Sequence, residues 1–200
     1  PDWKAFGQPA AGNGLGGRDY GLPHCAKATF EVRFPFGKVT LEDPKVPLDM
    51  DITGWSPFTP GDPDSSSLPV AALEYRFVNP TDEMVEAVYS FHARNFMAMD
   101  DAEGQAVRVT DYGFVLWQPG TDDAPHHEGA LSITVDSPEA KINCAWFRGG
   151  WFDALTIVCK SIEESTMPEA GPFDEGPPSP GGSLYVPLHL APGEATTICL

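Results

Sequence analysis

Basic residues are scarce in this chain: 12 Lys and Arg stand against 29 Asp and Glu, a formal net charge of −17 over 200 residues. Such a surface repels phosphate backbones and anionic bilayers, so nucleic acid is excluded as a partner and a charged membrane surface is disfavoured. No apolar run approaches the roughly 20 residues of a membrane-spanning helix, so no membrane span is expected. No basic segment followed by an apolar stretch opens the sequence, so no signal peptide is expected in it. Cysteine is sparse too. Cys25, Cys144, Cys159 and Cys199 have none of the short spacings of a zinc site. They read as buried thiols, with a Cys144–Cys159 bridge as the alternative.

Other chemistries are missing as well. There is no Gly-x-Ser-x-Gly elbow to expose a nucleophilic serine. Asp62-Pro63-Asp64-Ser65-Ser66 fails as a calcium loop, because Ser67 and Leu73 stand where that pattern requires Gly and Glu. It reads instead as a turn in which Asp and Ser side chains bond backbone amides. His126-His127-Glu128 has no further His or Cys at ligand spacing and reads as solvated loop. No metal and no cofactor are expected.

What the chain has is alternation. Phe30, Val32 and Phe34 alternate with Glu31 and Arg33; Leu73, Tyr75 and Phe77 alternate with Glu74 and Arg76. The same period of two recurs in Val85–Phe91, Leu131–Val135, Ile142–Trp146, Leu184–Leu190 and Thr196–Ile198, the mark of half-buried strands. Residues 70–92 read as a hairpin around Asn79-Pro80-Thr81-Asp82-Glu83. Many strands separated by Pro and Gly turns predict an all-β fold, an antiparallel two-sheet β-sandwich. One segment departs: Phe152, Leu155, Cys159 and Ile162 recur at helical spacing, predicting one short helix over 153–165 with Asp153 as its cap. Thr166–Ser183, with five prolines and four glycines, predicts a long surface loop. Residues 1–25 read as an extended arm and 26–200 as the sandwich domain.

Gly54–Ala71 is the most distinctive stretch. Prolines and glycines stiffen or permit its backbone, Trp55 and Phe58 are held within it, and it feeds into the strand Leu73–Asn79. With Phe34-Pro35-Phe36-Gly37, Asn79-Pro80-Thr81, Phe147–Thr156 and Leu190–Ile198, it closely resembles the N-terminal domain of glycoside hydrolase family 116, the non-lysosomal glucosylceramidases and related β-glucosidases. The resemblance covers roughly Phe30 to Leu200. It implies a non-catalytic β-sandwich that buttresses an (α/α) barrel, with a retaining acid/base and nucleophile pair supplied by that barrel.

Retaining enzymes hold their carboxyl pair about 5 Å apart. Asp62, Asp64, Asp100, Asp101, Asp122, Asp123 and Asp153 fall in expected turns or at element ends, and no spacing selects a pair among them. No catalytic residue is therefore assigned in this chain. Trp55, Phe58, Asp62, Arg148, Trp151 and Asp153 are the candidates for a domain-docking surface or an active-site rim, since aromatics held in Pro/Gly backbone suit contact centres. Gly54–Pro69 and Arg148–Asp153 are expected to meet on one side of the sandwich. The expected partner is a C-terminal catalytic domain of the same protein, from which the chain is expected to be cut after the apparent strand Thr196–Leu200; a β-glucoside carbohydrate is the further candidate. The competing reading is a free-standing carbohydrate-binding module acting through exposed tryptophans.

Overall fold

The computed structural model describes residues 25–99, 103–148 and 154–200. Eleven strands are present among them: β1 Lys27–Arg33, β2 Phe36–Glu42, β3 Asp49–Trp55, β4 Ala72–Val78, β5 Val85–Arg94, β6 Ala106–Thr110, β7 Gly113–Gln118, β8 Gly129–Thr134, β9 Lys141–Asn143, β10 Gly181–Leu190 and β11 Ala195–Cys199. They form a five-stranded sheet in the order β1-β2-β3-β4-β11 and two three-stranded sheets, β5-β10-β9 and β6-β7-β8. Every sheet pairing with a defined register is antiparallel. The all-β, antiparallel expectation holds, and the sheets do not close into a barrel. Among the described residues helix is confined to a single turn, α1 (Pro63–Ser66), a 3₁₀ turn at Pro125–His127, and α2 (Ala154–Glu163).

The chain forms two compact units. Among the described residues, one is built from 25–87 with Val135–Ser137 and Leu188–Leu200; the other is built from Val88–Thr134 and Pro138–Pro187. The first contains the five-stranded sheet, whose register explains its two faces. Phe30, Val39, Ile52, Tyr75 and Ile198 are successive cross-strand partners, so they lie in one row on one face. The adjacent row, Thr29, Thr40, Asp51, Arg76 and Thr197, points to the other. The sheet is therefore amphipathic. Its apolar face is not evenly covered: Ile198 is 4% exposed, Val39, Ile52 and Tyr75 are half-buried, and Phe30 is 67% exposed. The alternation of β1 thus marks a face whose covering stops before the strand is reached.

The reading of 70–92 as a hairpin is corrected by the pairing. Strand β4 has β3 and β11 on its two sides, while β5 pairs with β10 in another sheet. The cause sits at the end of β4. Asn79 is fully buried, and its Nδ2 donates to Glu83 O at 2.8 Å, Leu190 O at 2.9 Å and Ala191 O at 3.1 Å. Its Oδ1 accepts from the Thr81 amide and hydroxyl. This side chain ties the turn to the Leu190–Ala191 segment and satisfies its carbonyls, so the chain leaves one sheet for another at that point.

The second unit is packed around Phe114, Leu116, Trp146, Leu184 and Tyr185, all at most 2% exposed. Strand β10 enters through Gly181 and Gly182. A Cβ at Gly181 would lie 2.6 Å from the Trp146 ring, and one at Gly182 would lie 2.7 Å from the Phe114 ring. Only glycine lets this strand pass between the two aromatics. Helix α2 falls within the span expected for it, and of its expected stripe Leu155 and Cys159 face inward while Phe152 lies outside the described residues. Ala154 and Val158 pack on Trp146 with Leu155 beside them, whereas Ile162 is 43% exposed. Cys144 and Cys159 are both buried and are not joined by a disulfide.

Candidate functional site

Trp55, Phe58 and Asp62 belong to the first unit. Trp55 is the last residue of β3, opposite Ala72 of β4, and not part of a turn as its Gly/Pro surroundings suggested. Its indole N–H donates to Glu74 Oε1 at 2.8 Å, and the ring is half-buried. Phe58 is 47% exposed and meets Phe34 edge to face at a centroid distance of 4.9 Å. Asp62 is the N-cap of α1. Its Oδ1 accepts from the Ser65 amide at 3.1 Å and its Oδ2 from the Ser65 hydroxyl at 2.6 Å. The Ser65 hydroxyl, then the Ser65 amide, holds this carboxyl below its usual value. The expectation of an Asp/Ser turn is met, with Ser66 Oγ adding bonds to the Thr59 and Asp62 carbonyls.

Arg148 belongs to the second unit. Its guanidinium stacks over the Phe173 ring at 3.4 Å, and Nη1 donates to Glu175 O at 2.9 Å and to Pro177 O. It fastens the Pro/Gly-rich loop that precedes β10. Trp151 and Asp153, the remaining candidates, lie outside the described residues.

On the polar face of the five-stranded sheet, Asp51 accepts from the Thr40 hydroxyl at 2.7 Å and pairs with Lys38 Nζ at 3.1 Å. The Thr40 bond lowers its carboxyl, against the opposing effect of burial and with further lowering from Lys38. Asp51 and Asp62 thus move in the direction opposite to that of a glycosidase acid, which must hold its proton near neutral pH. Among the described residues no cluster of three or more His, Cys, Asp or Glu side chains could hold a metal. His126 and His127 pack edge to face on each other at 4.5 Å in the 3₁₀ turn.

A histidine that the sequence reading passed over is strongly perturbed. His92 Nδ1 lies 2.8 Å from Ser183 Oγ and Nε2 lies 3.0 Å from Ser90 Oγ, with Tyr185 edge-on at 5.5 Å. Ser183 is fully buried and also accepts from the Trp146 indole N–H at 2.7 Å. A neutral ring with its proton on Nε2 satisfies all three groups. Burial pushes the His92 pKa down to about 4. The Ser–His contact superficially resembles a nucleophile and base, but the serine oxygen is closed to solvent and a second serine takes the place of an orienting carboxylate. Polar residues at alternate positions of a strand, Ser90 and His92, were the signal available in the sequence.

The family profile described as "beta-glucosidase 2, glycosyl-hydrolase family 116 N-term" matches residues 2–200. The chain belongs to this family. It is the N-terminal domain of a family 116 glycoside hydrolase. No curated protein matches the chain. Within this family 116 domain, the distinctive Gly54–Ala71 stretch is the end of β3 and the β3–β4 connection, which carries α1 and its Asp62 cap.

Proposed function

We propose that this domain is non-catalytic and buttresses a C-terminal catalytic domain, an (α/α) barrel acting on β-glucosides with retention, in the manner of the glucosylceramidase-type enzymes. Residues 26–200 act in this reading as one docked domain; the arm expected for 1–25 lies, but for Cys25, outside the described residues. The observation that carries it is the state of Asp51 and Asp62. Both accept hydrogen bonds from nearby residues and are lowered in pKa, so neither is fit to give a proton to a leaving group. Trp55, Phe58, Asp62, Arg148, Trp151 and Asp153 are the side chains proposed for the docking face or the rim of the active site.

Each carboxylate of residues 25–200 should be neutralised in turn in the full-length protein (Asp51→Asn, Asp62→Asn and so on). Turnover of an aryl β-glucoside should stay close to the parent. A kcat loss of about 10²–10⁴, the size of a lost acid–base group, with the fold intact by circular dichroism, would overturn the reading.

The carbohydrate-binding module is less well supported. Trp55 is half-buried and bonded to Glu74, Trp117 is half-buried with Arg108 over its ring at 4.7 Å, and Trp146 is 2% exposed. No tryptophan among the described residues offers the open ring face that sugar stacking requires.

A further inference from the structure

We propose that the cleft beneath the β2–β3 connection is a binding site for a small organic cation, a primary ammonium carried on a short apolar stem. The inference is independent of the glycosidase reading. It concerns the end of the five-stranded sheet that carries none of the docking candidates. The cleft has a volume of about 430 Å³, within the roughly 300–1,000 Å³ of small-ligand sites. Register explains why it forms there. Lys27 pairs with Glu42, Leu41 with Met50 and Asp49 with Val78, so the start of β1, the β2–β3 connection and the residues after β4 meet at one end. Leu41, Pro44, Val46, Pro47, Leu48 and Pro80 supply its apolar walls.

These walls are held in place without a ligand. Asp43 Oδ2 accepts from the Ala26 amide at 3.2 Å and Oδ1 from the Lys45 amide at 2.9 Å, which ties the start of β1 to the connection. The Asp43 carbonyl accepts from the Val46 amide at 3.0 Å, closing a turn around Pro44 and Lys45. Pro44 and Pro47 fix the backbone on either side of Val46, and Leu48, 8% exposed, anchors the segment in the core. Pro80 follows the fully buried Asn79, whose bonds fix the chain at that point. Preformed walls reduce the ordering that binding would otherwise require.

Charge selects the ligand. Glu42, Asp43 and Asp49 line the cleft against Lys27 alone, three carboxylates to one ammonium. Lys27 Nζ is engaged by Glu42 Oε1 at 2.6 Å, and Asp43 is occupied by its two amides. Asp49 is exposed, and among the described residues its carboxylate has no hydrogen bond or ion pair. An ammonium can pair with it while its stem lies on the proline, valine and leucine surface. An anion meets a net negative lining in a chain of charge −17. No aromatic ring lines the cleft, which removes the stacking surface of a sugar and the cage of a quaternary ammonium. A primary ammonium remains.

Saturation-transfer NMR titrations of the full-length protein test this, with hexylammonium, hexanol and hexanoate as probes of one stem and three head groups. Hexylammonium should bind in the millimolar range, about what seven heavy atoms achieve in an open site. Hexanol should bind about fivefold more weakly, and hexanoate more weakly still. Asp49→Asn should weaken hexylammonium about fivefold, the size of one exposed charge pair, and leave hexanol unchanged. Val46→Lys, at a position 37% exposed, places an ammonium of the chain's own in the cleft and should abolish the binding of hexylammonium. Equal affinity of parent and Asp49→Asn for hexylammonium would overturn the proposal, and so would equal affinity of the parent for all three probes. Should Val46→Lys fail to fold, Asp49→Asn decides alone, since it replaces an exposed side chain by its isostere. Nα-acetyllysine methylamide carries the same ammonium on a peptide: binding tighter than hexylammonium assigns the site to a lysine of a partner protein, and weaker binding assigns it to a free amine.

Discussion

The Trp146 indole N–H donates to Ser183 Oγ at 2.7 Å, and the same oxygen lies 2.8 Å from His92 Nδ1. One hydroxyl thus serves a buried indole and a half-buried imidazole from different parts of the chain. Ser183→Ala removes an acceptor and a donor at once and leaves the indole N–H without a partner away from water. The expected loss is about 1–3 kcal/mol, the cost of an unsatisfied buried group, read as a lower urea midpoint at unchanged m-value.

His92 makes stability pH-dependent in a defined window. Its pKa in the folded state is about 4 against an ordinary 6.5, because burial penalises the charged ring. Above 6.5 the ring is neutral folded or unfolded, and its contribution is fully present. As pH falls from 6.5 toward 4 the unfolded chain takes up a proton that the folded one refuses, and stability drops. At ~1.4 kcal/mol per unit, the loss is on the order of 3 kcal/mol by pH 4. Denaturation midpoints measured at intervals over that range should fall faster in the parent than in His92→Gln; equal slopes would remove His92 as the cause.

Asn79 discriminates sharply between isosteres. Its Nδ2 faces the Glu83, Leu190 and Ala191 carbonyls. Asn79→Asp puts a carboxylate against those oxygens, whereas Asn79→Ala leaves them unpartnered. Alanine should cost about 1–3 kcal/mol. Aspartate should cost more at neutral pH and recover part of the loss as pH falls and it protonates. Thermal melts of the two variants at pH 7 and pH 4.5 check the crossover.

Cys144 should be chemically silent while the fold holds. It is fully buried, and burial pushes its thiol up to about 11, so the nucleophilic thiolate is suppressed as well as shielded. Iodoacetamide at pH 8 should leave it unmodified in the native protein and label it in denaturant. Native-state labelling at the unfolded rate would contradict the packing around Trp146.

Much of the strand content was legible because the period of two survives wherever one face is buried; Tyr75, Phe77 and Ile198 are examples. Partner choice was not legible. Nothing in the alternation of 70–92 says that both sides of β4 are occupied, and the crossing depends on carbonyls at Leu190 and Ala191, far along the chain from Asn79. Apolar alternation in β1 was read correctly as a strand, yet it carries no information on how far the covering extends. At the candidate site, the Asp62 cap followed from local sequence because its partner is three residues away. Arg148 did not, since its partners lie in a loop that returns from more than 20 residues downstream. The His92–Ser183 contact joins β5 to β10, and its only local trace is the polar pair Ser90 and His92 at alternate positions of one strand.

Strand β1 pairs only with β2 among the described residues, and every side chain along it is exposed. Its outer backbone is a ready template for the same strand of another molecule, with Phe30 and Val32 at 67% and 73% exposure to extend the contact. Lys27, Glu31 and Arg33 interrupt it with charge, which is how exposed edges are kept apart. Aggregation on overexpression would therefore be seeded at this edge, and a proline in place of Val32 would suppress it by removing an amide from the template.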